Sequence, residues 1–213
     1  GRGFREKLRA EMGVAPDEKL VLVTVGGGED GDRVLSCYVE GWHADPALKA
    51  AKVKTLLVCG SEMNEVNRRH VINGAGGSDL IVRDFSDDMM TLMDAADLVV
   101  CMGGYNTTCE LLTLRKRAVM VPRARPVEEQ WLRAERLAKM GLFRVIHPDH
   151  LQPSVLMDEV KAELARIDAG EPLPAAAIDL RGLARLHDAI NELTADQPTS
   201  LSGSYPRPAL VLG

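Results

Sequence analysis

Short apolar runs alternate with longer amphipathic segments through most of this chain. Leu20–Val25 is apolar except for Thr24, and Thr55–Cys59, Leu80–Val82, Leu98–Met102 and Ala118–Val121 follow the same pattern. Runs of this length without in/out alternation fit strands buried on both faces, as in a parallel sheet. Phe143–Ile146 reads as a last short strand. Between the runs lie helical periods. Phe4–Met12 is amphipathic, and Val34, Cys37, Tyr38 and Trp42 share one face of a helix over Val34–Trp42. Pro46–Lys52 and Glu62–Val71 come next, the latter with Ser61 as N-cap, and Asn73–Ser78 is a loop. A short helix follows Asp84–Met90, capped by Ser86 or Asp87, with Met89, Met90, Leu92 and Met93 packing. A further helix runs to Lys139, with Val127, Trp131, Ala134 and Ala138 on one face and Gly141 ending it. Pro153–Ile167 and Arg181–Leu193 complete the set, joined by a Pro/Ala-rich linker over Ala169–Ala177.

Strand–helix alternation of this kind predicts an α/β fold, a Rossmann-like parallel sheet with helices on both faces. The expected organisation is one domain over residues 1–195, followed by a loosely held Ser/Pro/Gly tail over 196–213.

Composition narrows the partners. The chain has 213 residues, 46% of them hydrophobic and 27% charged, with a formal net charge of −5. That balance belongs to an ordinary globular protein and argues against nucleic acid or an anionic membrane as the main partner. No stretch approaches the roughly 20 apolar residues of a membrane span, and no signal peptide is apparent. The opening Gly1-Arg2-Gly3, without methionine, is expected of a processed or excised piece. The four cysteines, Cys37, Cys59, Cys101 and Cys109, form no C-x-x-C pair. Cys59 and Cys101 close apolar runs and read as buried, inert thiols, which fits a reducing, cytoplasmic setting.

Candidate chemistry concentrates between Asp97 and Gln130. The run Leu98–Met102 ends at Gly103-Gly104, and Tyr105-Asn106-Thr107-Thr108-Cys109-Glu110 leads into a leucine-rich helix. Glycines there let a ligand approach the backbone, and the free N–H groups of the helix start make an anion site. Asn106 and Thr107 are N-cap types, and Glu110 shares their helix face. A carboxylate one turn above a phosphate can accept hydrogen bonds from ribose hydroxyls. The bland alternative is an ordinary βαβ unit with a capped helix and a solvated glutamate.

The strings GGYNTTCELL, AVMVPR and EEQWLRAERLAKMGL resemble the C-terminal, donor-binding half of GT-B glycosyltransferases, in particular the MurG-like enzymes of glycosyltransferase family 28. The resemblance covers about residues 20 to 145 and implies a UDP-sugar as donor substrate, with no cofactor. A metal-bound diphosphate is not expected, since backbone N–H groups at glycine turns and helix starts can stabilise the leaving group and the chain is read as lacking a D-x-D motif. It places Gly26, Gly27, Gly28, Gly103, Gly104, Asn106 and Thr107 near the diphosphate, Glu110 on the ribose, and Glu129 and Gln130 on the sugar. Ser86 would meet the uracil edge through its backbone. Two departures matter. Met102-Gly103 stands where the peptidoglycan enzyme has an Arg-Ser pair, so the phosphate charge must be met elsewhere, and Glu129 stands where it has Gln, so the sugar need not be N-acetylglucosamine. Arg123 and Arg125 are candidates for that, or are simply loop charges.

The resemblance also implies that the catalytic base and acceptor site belong to a missing N-terminal domain, of the same or a partner chain. Any membrane contact would come through that half. None of His43, His70, His147, His150 and His187 sits on a glycine turn, and none is nominated as catalytic. On this reading the chain alone binds a nucleotide sugar and transfers hexosyl groups only with its other half. Three alternatives stand beside it: a stand-alone binding module that works with a partner chain, a nucleotide-sugar epimerase of related fold, and an NAD-dependent enzyme. The last draws on Gly26, Gly28 and Gly31, which spell G-x-G-x-x-G. It is weakened because the nearest acid after the second strand, Glu62, comes too late.

Overall fold

The computed structural model describes residues 2–174, all within the compact unit Gly1–Ala176. The expected helix Arg181–Leu193 and the tail 196–213 lie outside the described residues.

Among the described residues, six parallel strands form the sheet. They are β1 (Lys19–Thr24), β2 (Val53–Val58), β3 (Leu80–Arg83), β4 (Leu98–Cys101), β5 (Arg117–Met120) and β6 (Arg144–Val145), in the order β3-β2-β1-β4-β5-β6. Val21 of β1 registers with Thr55 of β2 on one side and Leu98 of β4 on the other. This is the doubly wound order 3-2-1-4-5-6, and it confirms the expected Rossmann-like class. The chain starts at β1, works outward to β3, then returns to the middle at β4. Loops leaving β1 and β4 therefore diverge at the sheet's switch point, where open α/β sheets hold ligands.

The helices are α1 (Arg2–Glu11), α2 (Asp32–Ala44), α3 (Pro46–Ala50), α4 (Glu65–Ala75), α5 (Met89–Ala95), α6 (Tyr105–Leu114), α7 (Glu129–Lys139) and α8 (Pro153–Asp168). One large core cluster gathers the sheet's apolar runs with α2, α4 and α8, including Val21, Leu57, Val100, Tyr38, Trp42, Leu156 and Val160. Such strands carry apolar side chains on both faces because helices cover both. The Tyr38 hydroxyl, fully buried, is satisfied by Thr55 Oγ1 at 2.8 Å. Burial raises its pKa above the ordinary tyrosine value.

Element types follow the pattern; several helix starts do not. Asn64, not Ser61, caps α4, its side chain accepting from the Asn67 N–H at 2.9 Å. The reason is tertiary. Glu62 N donates to Gly27 O at 2.6 Å, which ties the stretch after β2 to the loop after β1 and delays the helix. The helix then continues to Ala75, through the first part of the expected loop. Likewise Asp88, not Ser86 or Asp87, caps α5 by accepting from Thr91 N at 3.0 Å, while Ser86 Oγ accepts from Asp88 N. Gly104 caps α6, so Asn106 and Thr107 lie inside its first turn rather than at the cap. Val127 is 65% exposed, ahead of α7 rather than on its buried face, which Ala134 and Leu137 supply.

At the other end of the sheet, buried Glu163 of α8 accepts from Arg117 Nη1 of β5 at 3.0 Å, Arg144 Nε of β6 at 3.1 Å and Arg166 Nη1 at 2.8 Å. Nearby, Asp97 accepts from Arg5, Arg9 and the Leu20 N–H, locking α1 to the β1–β4 seam.

Candidate functional site

At the switch point the loops after β1 and β4 meet around a cavity of about 230 Å³. Gly26, Gly27, Gly28, Gly103, Gly104, Thr107 and Gln130 line it together. These seven come from three stretches of chain far apart in sequence and were each expected near a donor. Ser86, Asn106, Glu110 and Glu129, expected at the same site, are not on its wall. Ser86 follows the edge strand β3, two strands away from the switch point. Asn106 is exposed on α6, and half-buried Glu110 lies one turn beyond Thr107 on the same helix. Glu129 is ion-paired with Arg133.

The glycines divide by what they face. Gly28 and Gly60 interlock: both have left-handed φ (+92 and +91), and a Cβ on either would fall on the other loop's main-chain carbonyl. They serve the fit of the β1 loop against the β2 loop. Gly26 and Gly104 instead have no neighbour within 4 Å of where a Cβ would be, so their backbone is open to a ligand. No side chain caps α6, and the N–H groups of its first turn have no partner within the helix. Its positive end thus faces the cavity beside Thr107.

The Gly103-Gly104 turn is held from behind. Arg133 Nη2 donates to Gly103 O at 3.0 Å, and Thr108 Oγ1 donates to the same oxygen at 3.2 Å. The Arg133 guanidinium also lies 5.7 Å from the centre of the exposed Tyr105 ring. Gln130 Oε1 accepts from the Arg123 N–H at 3.3 Å, which ties α7 to the loop after β5.

Charged groups complete the wall. Glu29, Asp30 and Glu62 are its acids and Arg123 its basic side chain. Arg123 Nη2 donates to Asp30 Oδ1 at 2.7 Å, and its Nε is buried without a partner. A second cavity of about 180 Å³ shares Asp30, Met102 and Arg123 with the first and is floored by Val34, Val121, Pro122 and Leu151. Arg125 belongs to that second cavity and pairs with Asp149 at 3.4 Å. Both thiols read as inert are buried: burial pushes Cys101 up to about 12 and raises Cys59, where the Asp84 charge adds to the effect.

Sequence reasoning missed three participants. Arg133 gave no signal, since helix arginines usually face water. Glu62 was set aside on distance along the chain, yet it reaches the glycine cavity because β2 neighbours β1. Asp30-Gly31-Asp32 spells D-x-D, a spacing used elsewhere to bind a metal-bridged diphosphate, and this could have drawn attention to Asp30. Here Asp30 is engaged by Arg123, and Asp32 opens α2 away from the cavity wall.

Comparison with known proteins places this geometry. Residues 20–192 match the domain described as Glycosyltransferase family 28 C-terminal domain. Over 140 residues the chain is 30% identical to the UDP-N-acetylglucosamine–N-acetylmuramyl-(pentapeptide) pyrophosphoryl-undecaprenol N-acetylglucosamine transferase of Mannheimia succiniciproducens, which covers 66% of this chain and 39% of that protein. It is 29% identical over 157 residues to an uncharacterized glycosyltransferase of Methanopyrus kandleri, covering 74% of this chain and 41% of the relative. The chain therefore spans about two fifths of these relatives. Among solved structures, the MurG crystal structure from Acinetobacter baumannii superimposes with a TM-score of 0.59 at 23% identity, covering 86% of this chain and 52% of MurG. A putative UDP-N-acetylglucosamine 2-epimerase from Listeria monocytogenes superimposes at 0.62 and 13% identity, over 90% of this chain and 48% of that one. At these identities the structural likenesses speak to fold alone.

Proposed function

Because the chain belongs to glycosyltransferase family 28 through that family's C-terminal domain, we propose that it is the donor-binding half of a hexosyl-transferring enzyme. The donor is a nucleotide sugar, with UDP as the favoured carrier because the relative from Mannheimia succiniciproducens is named for a UDP-sugar. An N-terminal domain, on the same or a partner chain, supplies the acceptor site and the base. The setting is cytoplasmic; none of the described helices is long and apolar enough to cross a membrane.

One observation carries this reading. Two glycine loops and a helix start without a side-chain cap, from β1 and from β4–α6, converge on one cavity at the switch point. Glycosyl transfer moves negative charge onto the departing diphosphate. Fixed N–H groups aimed at that charge stabilise it without reorganising, which is the largest contribution a donor domain can make. Gly26, Gly104 and the first turn of α6 are the groups to which we assign this role, supported by their open backbone at the cavity they share with Thr107 and Gln130. Glu110 remains our ribose candidate through the family resemblance, and Gln130 our sugar candidate.

A second reading draws on Glu62. An acid just beyond β2, against a glycine loop after β1, stands where dinucleotide-binding folds contact a ribose. Family membership favours the glycosyltransferase.

The test is the melting temperature with UDP, UDP-N-acetylglucosamine, UDP-glucose, GDP, dTDP and NADH. Ligand at 100 times its dissociation constant adds about 2.7 kcal/mol, a rise of roughly 5–10 °C in a chain of this size. A rise with one nucleoside diphosphate and its sugars supports the proposal and names the base. A rise with NADH alone overturns it.

A further inference from the structure

The charges around the glycine cavity oppose its proposed ligand. Among the described residues its acids, Glu29, Asp30 and Glu62, face a single lining cation, Arg123. The other arginines around the two cavities hold partners of their own: Arg125 pairs with Asp149 and Arg33 donates to Leu151 O at 3.4 Å in the second cavity, Arg68 donates to Gly60 O and Met63 O, and Arg133 is held by Gly103 O and Glu129. Met102 and the two glycines after it bring no charge. A diphosphate resting on the glycine loops would therefore find one side-chain cation, and that cation is already neutralised by Asp30 at 2.7 Å. The pair spans 93 residues and joins the loop after β1 to the loop after β5. It also stands in the wall common to both cavities, since each is lined by Asp30 and Arg123. The backbone of Arg123 is anchored through its N–H to Gln130, so the side chain can turn while its root stays in place.

We infer that Asp30 is an internal competitor for Arg123: the pair is a latch between the two cavities, and a donor diphosphate opens it by taking the guanidinium from Asp30. The inference rests on the nucleotide-sugar reading above. A guanidinium binds phosphate oxygens through two parallel N–H donors, and the same fork cannot serve the Asp30 carboxylate fully at the same time. Asp30 thus lowers affinity for the diphosphate, and its loss is felt only while Arg123 is present.

The experiment is a double-mutant cycle on the 213-residue protein. Binding of UDP, GDP, dTDP and ADP is measured by calorimetry at low ionic strength, where exposed charges are least screened. The tightest binder is carried through Asp30→Asn, Arg123→Gln and the double variant, with its nucleoside as control. Unliganded melting temperatures verify folding, and Arg123→Met, which also removes the charge, replaces Arg123→Gln if the latter does not fold. We expect Asp30→Asn to tighten the diphosphate roughly two- to fivefold. Arg123→Gln weakens it by about tenfold or more. Asp30→Asn then has no effect in the Arg123→Gln background, and nucleoside affinity does not move. Equal tightening in both backgrounds would make Asp30 a mere background charge, and weaker binding in Asp30→Asn would make it a support for Arg123. Either overturns the latch while leaving the donor site intact. If no nucleoside diphosphate binds the wild type, the nucleotide reading fails and the latch with it.

Discussion

The guanidinium of Arg133 donates through Nη2 to the main-chain carbonyl of Gly103 at 3.0 Å, from one helix into the turn that starts another. With Thr108 on the same oxygen, it leaves Gly103 little freedom, although that residue sits at φ +64 where glycine is otherwise the most mobile choice. A site that relies on aimed N–H groups needs such a turn held still before ligand arrives. Replacing Arg133 by Ala should lower unfolding free energy by about 1–3 kcal/mol, the range for a hydrogen bond to a charged donor. It should also weaken diphosphate binding although Arg133 does not line the cavity. Urea denaturation and calorimetry on one preparation would show both losses, and unchanged binding would confine Arg133 to a stability role.

The two kinds of glycine should respond oppositely to a methyl group. Gly60→Ala forces a Cβ onto the carbonyls of Gly26 and Gly27 at φ +91, and we expect a loss of at least about 3 kcal/mol or no folded protein. Gly104→Ala meets no protein atom within 4 Å and has φ −55, so stability should change by no more than about 1 kcal/mol. The same methyl group projects where the ligand is proposed to lie, and affinity should fall. If Gly104→Ala bound a nucleotide as well as wild type does, Gly104 would not belong to the ligand surface.

Two glutamates compete for the ribose. Glu110 follows from the resemblance, whereas Glu62 lies on the cavity wall. Glu110→Ala and Glu62→Ala should be compared for UDP against 2′,3′-dideoxy-UDP. The glutamate that holds the ribose will lose affinity for UDP, roughly tenfold, and none for the dideoxy form. We expect that result for Glu110; the reverse pattern would reassign the ribose to Glu62.

Far from the site, Glu163 is 3% exposed and surrounded by Arg117, Arg144 and Arg166. Removing it strands the buried Arg117 cation, which costs more than the pair itself contributes, while part-exposed Arg144 and Arg166 keep Glu159 and Glu171. Glu163→Ala should lose about 3–5 kcal/mol in urea denaturation while leaving nucleotide affinity unchanged in the folded fraction. A loss below about 1 kcal/mol would mean that water reaches Arg117 once Glu163 is gone.

Lys116 gives a pH signature. Its ammonium donates to Asp94 O and Ala96 O at 2.6 and 2.8 Å. Burial, reinforced by the Arg5 charge, lowers its pKa from 10.5 to about 8. Between about 8 and 10.5 the unfolded chain thus binds more protons at this position than the folded one, and the Lys116 contribution to stability rises with pH. Buried Cys37, Cys59 and Cys101 act in the other direction, because their raised values make the folded chain hold protons that the unfolded one releases. The test is therefore a difference: from pH 7.5 to 9.5, stability of wild type minus that of Lys116→Met should increase. A flat difference would show that Lys116 titrates normally.

The periods of hydrophobicity were enough to read the strands, most of the helices and the doubly wound class. Those patterns record only whether neighbouring side chains face a core, and five of the strands repeat one message. The glycine strings located both loops of the candidate site for the same reason, since a residue without Cβ marks unusual backbone wherever it stands. Helix starts were less legible. Ser61, Asn106 and Thr107 are suitable caps by type, but Asn64 caps α4 because the stretch before it is tied to the loop after β1, and α6 starts earlier, at Gly104, which has no side chain to cap it.

What tertiary structure alone decided is who meets whom across the switch point. Gly28, expected near the diphosphate, lines the cavity and is also fitted against Cys59, while Gly26 two residues earlier is open. Glu62 looked too distant and arrives at the cavity because β2 lies beside β1. Asp30 and Arg123, 93 residues apart, carry no mark of each other in the chain. Burial pattern and turn chemistry are local properties and are written locally. A pairing between two loops depends on strand order and on where each loop leaves the sheet, and these are set only when the whole core packs.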